Sequence, residues 1–227
     1  GRRPPSSTRL PHTAPSDLLD GSQVLPRFMA RAMGTEELAQ PRQRAFGALS
    51  GRVLELGFGS GLNLPHYPPE VSAVLAIEPV PVNRKLARKR IAASPIPVEW
   101  VGLHGEQIPL ESGSIDTVTS SWTLCSIGNL PKALAEVRRV LKPGGNLHFV
   151  EHGMAPDAGV RRWQARLNPV QRFCFGGCSL DLPIDLCLEN AGFEITELET
   201  DYMPGLKVQS FLYEGVARAP SVDQEKR

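Results

Sequence analysis

No apolar stretch in these 227 residues approaches the roughly 18 needed to cross a bilayer as a helix, so no transmembrane segment is expected. Charge of either sign is not in excess. Lys and Arg number 25 against 24 Asp and Glu, for a net charge of +1, so neither nucleic acid nor an anionic membrane is an expected partner. Cysteine is scarce: Cys125, Cys174, Cys178 and Cys187 are the four. A chain of this size with so few is expected to keep free thiols in the cytoplasm. The opening run GRRPPSSTRLPHTAPSD has basic residues but no apolar core, so a secretory signal is not expected. What remains is ordinary globular material, 41% hydrophobic and 22% charged, of a length that suits one domain over 1–227.

Residues 1–16 are rich in Pro, Arg and Ser and read as a flexible tail. Residues 17–50 carry a weak helical pattern, with Pro26 and Pro41 expected to break it into short pieces that cap the main body. From residue 51 to 154 apolar strands alternate with helical segments, the pattern of a parallel sheet. Strands are predicted at 52–56, 71–78, 98–101, 115–121 and 146–151, with helices near 80–93 and 131–141. Lys142-Pro-Gly-Gly145 ends the second of these helices. Residues 155–227 read as a substrate lid, with helices over 159–173 and 181–191, followed by strands at 193–200 and 208–217. With no helix between them, these last two strands are expected to be antiparallel neighbours.

The most informative run is Arg52-Val-Leu-Glu-Leu-Gly-Phe-Gly-Ser-Gly61. An apolar strand carrying one acid, Glu55, breaks into alternating glycines at Gly57, Gly59 and Gly61. Glycine there permits a sharp turn and a close approach of backbone to ligand, so a side chain larger than Ala at Gly59 is expected to intrude. A second acid, Glu78, closes the next strand at the spacing of about 20 residues used for ribose recognition. A dinucleotide site wants G-x-G-x-x-G opening straight into a helix that receives pyrophosphate. Here the spacing is G-x-G-x-G, and Pro65, Pro68 and Pro69 interrupt the segment that follows. The acid at Glu55 also suits a cationic or zwitterionic ligand better than a phosphate. These points favour S-adenosylmethionine over NAD.

VLELGFGSG, IEP, GEQIPLESGSIDTV, LKPGG and VEHG, in this order, resemble the class I S-adenosylmethionine-dependent methyltransferases. Within them the chain is similar to the methyltransferase type 11 branch of ubiquinone and menaquinone enzymes, and most to the alkyl-thiol methyltransferase-like group. Cys125-Ser126, Glu151-His152 and Gly177-Cys178 belong to that likeness. The resemblance implies an α/β, Rossmann-like fold: a seven-stranded, mostly parallel sheet with one antiparallel strand and helices on both faces. It implies S-adenosyl-L-methionine as cofactor, with S-adenosyl-L-homocysteine as product. Glu55, Gly57, Phe58, Gly59, Ser60 and Gly61 would meet the methionine part, Glu78 the ribose hydroxyls and Pro79 the ribose or adenine. Gly105, Glu106 and Gln107 fall on the adenine loop, where His104 stands in place of the family's acid. Asn63 and Ser121 complete the expected cofactor contacts.

The acceptor is less legible. Trp122, Cys125 and Asp181 are candidate substrate contacts. His152, at the end of a strand facing the cofactor edge, is the candidate catalytic group, since imidazole titrates near neutrality. A metal is not expected: Cys174 and Cys178 form one ligand-spaced pair, where structural zinc sites show two. The expected partner is a small hydrophobic acceptor, a thiol first and a quinone precursor or phospholipid amine second, met by a monomer or homodimer. A non-catalytic S-adenosylmethionine-binding protein is the rival of another class; intact glycines and the ribose acid speak against it.

Overall fold

The computed structural model describes residues 21–220, with side chains from residue 24 onward; the tail expected over 1–16 lies outside the described residues. Helices α1 (Gly21–Ala32) and α2 (Glu36–Phe46) lead into β1 (Gly51–Leu56), β2 (Val71–Ile77), α3 (Pro81–Ala93), β3 (Val98–Gly102) and β4 (Ile115–Ser121). Then come α4 (Leu130–Val140), β5 (Leu141–His152), α5 (Ala158–Cys174), α6 (Ile184–Asn190), β6 (Glu194–Tyr202), the single turn α7 (Lys207–Ser210) and β7 (Phe211–Arg218). The seven strands order as β3-β2-β1-β4-β5-β7-β6. Strands β1 to β5 are parallel, and β7 runs antiparallel to both β5 and β6. The expected sheet is therefore present. No helix among the described residues is long and apolar enough to cross a membrane.

Alternation along each strand splits the core between the two faces of the sheet. Leu54, Leu56, Leu75, Ile77 and Val118 pack on one side with Leu134 and Val137 of α4 and Ile184 and Leu188 of α6. Val53, Val74 and Ala76 pack on the other with Phe46 of α2, Ala87 of α3, Phe58 and Tyr67. Strand order reverses at β1, with β2 on one side and β4 on the other, and Leu56 pairs with both Ile77 and Ser120. The carboxyl ends of the three strands therefore lie level, and ligands bind at such a reversal in open α/β sheets.

Several boundaries differ from the sequence reading. Pro26 and Pro41 lie inside α1 and α2, and the break comes between the helices around Gly34. A proline in a helix interior costs about 3 kcal/mol, and burial of Pro41 with Arg42 and Phe46 offsets part of it. Helix α6 begins at Ile184, three residues after the expected start, because a residue before Pro183 disfavours helix. Residues 207–210 form α7, not the start of the last strand; Gln164 and Gln171 of α5 hold this turn at Val208 O and Gln209. Lys142-Pro-Gly-Gly145 bulges out of β5: Leu141 pairs with Ile115 and pairing resumes at Asn146 with Thr117.

Candidate active site

A cavity of about 440 Å³ opens at the strand reversal. It is bounded by Gly57, Phe58, Gly59, Ser60 and Asn63 after β1, by Glu78 and Pro79 after β2, and by Gly105 and Glu106. Ser121 and Trp122 close the β4 end. Most of the expected cofactor residues are thus brought together. Gly61 and Gln107 are not in the wall, and Gln107 is exposed.

Glu78 is buried and shapes the loop as well as the cavity. Its Oε2 accepts from Gly59 N at 2.7 Å; its Oε1 accepts from Val80 N at 2.7 Å and Asn83 Nδ2 at 3.2 Å. Burial raises its pKa against these hydrogen bonds and the charge of Arg84. A carboxylate has about four acceptor sites, and three are taken, so Oε2 keeps one free for a ribose hydroxyl. The buried Ser60 Oγ lines the same cavity and has no hydrogen-bond partner among the described residues. A Cβ on Gly59 would meet nothing closer than Gly57 O at 3.8 Å, so the space beside the loop is open. These features fit a ribose-bearing, zwitterionic cofactor.

Glu55 was expected to touch that cofactor, and the structure places it elsewhere. It shares the strand parity of Val53 and so points under α2, fully buried and outside the cavity wall. Its Oε1 accepts from Asn63 Nδ2 at 2.7 Å and its Oε2 from the Tyr67 hydroxyl at 2.8 Å. Asn63 does line the cavity, so Glu55 acts through it. Burial pushes the Glu55 carboxyl up to about 8, opposed by those two hydrogen bonds. Folding therefore tightens proton binding at Glu55 from its ordinary 4.5. The stability this adds is complete below the lower value and is lost as pH rises through the upper. Glu55→Gln removes the titration; its oxygen still accepts from Asn63 Nδ2, and its NH2 donates to the Tyr67 hydroxyl, which turns its own proton to Thr119 Oγ1. It is expected to flatten the decline of Tm with pH across this window, leaving cofactor affinity within about twofold. An unchanged slope would refute the assignment. Glu151, pushed up to about 7 by burial, keeps part of the slope in place.

Arg42 of α2 is a site residue that sequence reasoning missed. Buried, it donates from Nε to Asn63 Oδ1 at 3.0 Å and from Nη1 to Leu38 O at 2.7 Å. Its guanidinium stands 4.5 Å from the centre of the Trp122 ring. Desolvation lowers it to about 10, against the attraction of Glu55. No local pattern marks it, since one arginine in a weakly amphipathic helix is usually solvated. Trp122 is itself unusual, at φ +48°. Left-handed backbone is strained for a bulky residue and tends to gather at functional sites.

Trp122 and Ser126 also form part of a second cavity, of about 480 Å³. Its walls are largely apolar, with Leu25 and Met29 from α1 and Leu180, Leu206 and Leu212 from the C-terminal part. His152 and Cys178 form its polar end. His152 Nε2 lies 3.0 Å from Cys178 Sγ, and Cys125 Sγ lies 3.5 Å from the same sulfur. Cys125 sits on the 3₁₀ turn Leu124–Ser126, which the buried Glu151 holds by accepting from Ser120 Oγ, Thr123 N and Leu124 N. The Cys178 thiol is lowered, first by its hydrogen bond with Cys125 and then by His152, while Cys125 is raised. Burial pulls His152 down, but Cys178 and Glu151 outweigh it and leave it raised. Cys125 is buried behind this wall, and Asp181 is tied to Asn168 Nδ2 at 2.6 Å outside both cavities. Asp116 is likewise structural: it accepts from Arg52 N at 2.8 Å and pairs with Lys142.

A methyltransferase-domain family matches residues 54–149. The human thiol S-methyltransferase TMT1A is 34% identical over 188 residues, 77% of each chain. Human thiol S-methyltransferase TMT1B is 37% identical over 161 residues, 68% of this chain and 66% of that protein. Among solved structures, a putative methyltransferase from Bacillus halodurans C-125 superposes with a TM-score of 0.65 at 22% identity, covering 82% of this chain and 100% of that one.

Proposed function

The chain belongs to the thiol S-methyltransferase family of class I S-adenosylmethionine-dependent methyltransferases, and from that premise we propose that it methylates small hydrophobic thiols, with donor and acceptor held in the two adjoining cavities. S-adenosylmethionine supplies an electrophilic methyl on a sulfonium. In this reading the loop at 57–61 and Glu78 hold the donor, Asn63 is fixed by Glu55 and Arg42, and Trp122 separates the two ligands. The N-terminal helices, the C-terminal part of α5 and the loop before α7 form the cover, since Leu25, Met29 and Met33 line both cavities and Gln171, Phe175 and Leu206 line the second. Expulsion of water and alignment of the sulfur with the methyl are what the protein contributes, and such alignment is worth about 7–11 kcal/mol in favourable systems.

The observation that carries this reading is the second cavity: apolar walls with an imidazole and a thiol at one end, adjoining the donor cavity along Trp122 and Ser126. The apolar walls select the acceptor's body and the polar end receives its sulfur. Because Cys178 already engages His152 Nε2, His152 is not a free base awaiting a proton. The test is a methyl-transfer screen over alkyl and aryl thiols, quinone precursors and phospholipid amines. Thiols are expected to turn over at least tenfold faster than the other classes, the difference one well-placed polar contact makes. His152→Ala is expected to lower turnover more than donor affinity. Transfer to quinones or amines alone would overturn the thiol assignment.

A further inference from the structure

We propose that Cys125, His152 and Cys178 bind a zinc ion whose fourth position opens into the acceptor cavity and receives the acceptor's sulfur as a thiolate. The proposal rests on the thiol reading above. The two sulfurs and one imidazole nitrogen all lie within 4.8 Å of one another. Tetrahedral zinc, with bonds of about 2.3 Å to sulfur and about 2.0–2.1 Å to nitrogen, has ligand-to-ligand edges of roughly 3.5–3.8 Å. The sulfur–sulfur separation of 3.5 Å is about 0.3 Å short of its edge of roughly 3.8 Å, and the nitrogen–sulfur separation of 3.0 Å is about half an ångström short of its own, so an ion enters with a small opening of the three.

A polar side chain stands beside each sulfur. Gln171 Nε2 approaches Cys178 Sγ at 3.6 Å, and Ser126 Oγ approaches Cys125 Sγ at 3.6 Å. Ligand atoms of metal sites are oriented by such outer contacts. The turn bearing Cys125 is fixed by three hydrogen bonds to Glu151 from backbone at Thr123 and Leu124. All three residues therefore come from held positions: a pinned turn after β4, the end of β5 and the loop after α5. The cysteine pair at 174 and 178 is not the ligand pair; Cys174 is exposed.

Direction decides what such an ion does. Cys125 is buried behind the cavity wall, whereas His152 and Cys178 are part of it. An ion among the three has its remaining face toward the cavity. Three protein ligands with an open fourth position are the pattern of catalytic rather than structural zinc. Two thiolates and a neutral imidazole cancel the ion's charge. A thiol entering the fourth position loses its proton to solvent water, since a coordinated thiol is deprotonated outright. Its sulfur lone pair then forms the new bond to the methyl carbon. The sulfonium carbon–sulfur bond breaks with its pair left on the departing sulfur, giving two neutral thioethers.

The experiment is metal analysis of the full chain purified in a phosphine reductant without chelator, then cobalt(II) substitution. About one zinc per chain is expected, and affinity reduced more than tenfold in Cys125→Ser, Cys178→Ser and His152→Ala but not in Cys174→Ser. Donor binding by calorimetry in each variant reports that it is folded. The cobalt form is expected to show tetrahedral ligand-field bands that shift, with added sulfur-to-metal charge transfer, when a hydrophobic thiol is supplied, and not with its methyl thioether. No zinc or cobalt binding, equal binding in the three variants, or a Cys125–Cys178 disulfide in the reduced preparation would overturn the proposal. Thiol methylation without metal would refute this site and leave the acceptor reading standing. Zinc without thiol methylation would overturn the acceptor reading and the role given to the fourth position, leaving only the three ligands.

Discussion

Gly57→Val is expected to abolish donor binding and to lower Tm, and it is the most damaging single substitution in the glycine loop. Gly57 has φ +67°, and an added Cβ would collide with Thr123 Oγ1 and lie 2.6 Å from its Cγ2. The backbone strain alone costs about 1–3 kcal/mol for a residue with a side chain. Thr123 has little freedom to retreat, because its N–H is held by Glu151 at 2.9–3.0 Å. Displacing it also disturbs the turn that carries Cys125. Gly59, the position singled out from sequence, is different: its φ is +56°, but its Cβ would have open space. Gly59→Ala therefore costs backbone strain and the room the donor needs, with no clash in the free protein. Calorimetric titration with S-adenosylmethionine beside thermal melts separates these effects. Wild-type affinity in Gly57→Val would show that the loop is not the donor's cradle.

Glu78→Ala is expected to weaken donor binding about 10- to 150-fold, the equivalent of the roughly 1.5–3 kcal/mol assigned to a charged hydrogen-bond acceptor. Two losses combine. The ribose loses its carboxylate, and the N–H groups of Gly59 and Val80, each bonded to it at 2.7 Å, lose their acceptor. Glu78→Gln keeps one acceptor oxygen and should fall between the two. Equilibrium titration of folded variants reads the effect directly. Unchanged affinity in Glu78→Ala would end the ribose assignment.

Strand parity explains why one acid lines the cavity and the other does not. From the sequence, both Glu55 and Glu78 are acids at strand ends. Glu78 stands just beyond β2, where the chain has left the sheet, so it reaches the cavity whichever face it starts from. Glu55 is still inside β1 and must take the face its parity dictates, which α2 and the turn at Leu64–His66 cover. The prolines of α1 and α2 follow a similar logic. Their local cost was legible, but the burial that offsets it belongs to the tertiary packing.

The sequence by itself determined the alternating strands and helices, the antiparallel end of the sheet, the glycine loop and the acid that closes β2. All of these follow from short-range causes: the period of apolar residues, the backbone freedom of glycine and the spacing of one strand from the next. Tertiary structure alone decided that Arg42 reaches Asn63 and Trp122, and that Cys125, His152 and Cys178 meet. Cys178 is 26 residues from His152 and 53 from Cys125. No period links positions on a 3₁₀ turn, a strand end and a loop. Their meeting depends on how the loop after α5 packs against the ends of β4 and β5, and the sequence pattern says which face each element buries but not where its ends come to rest.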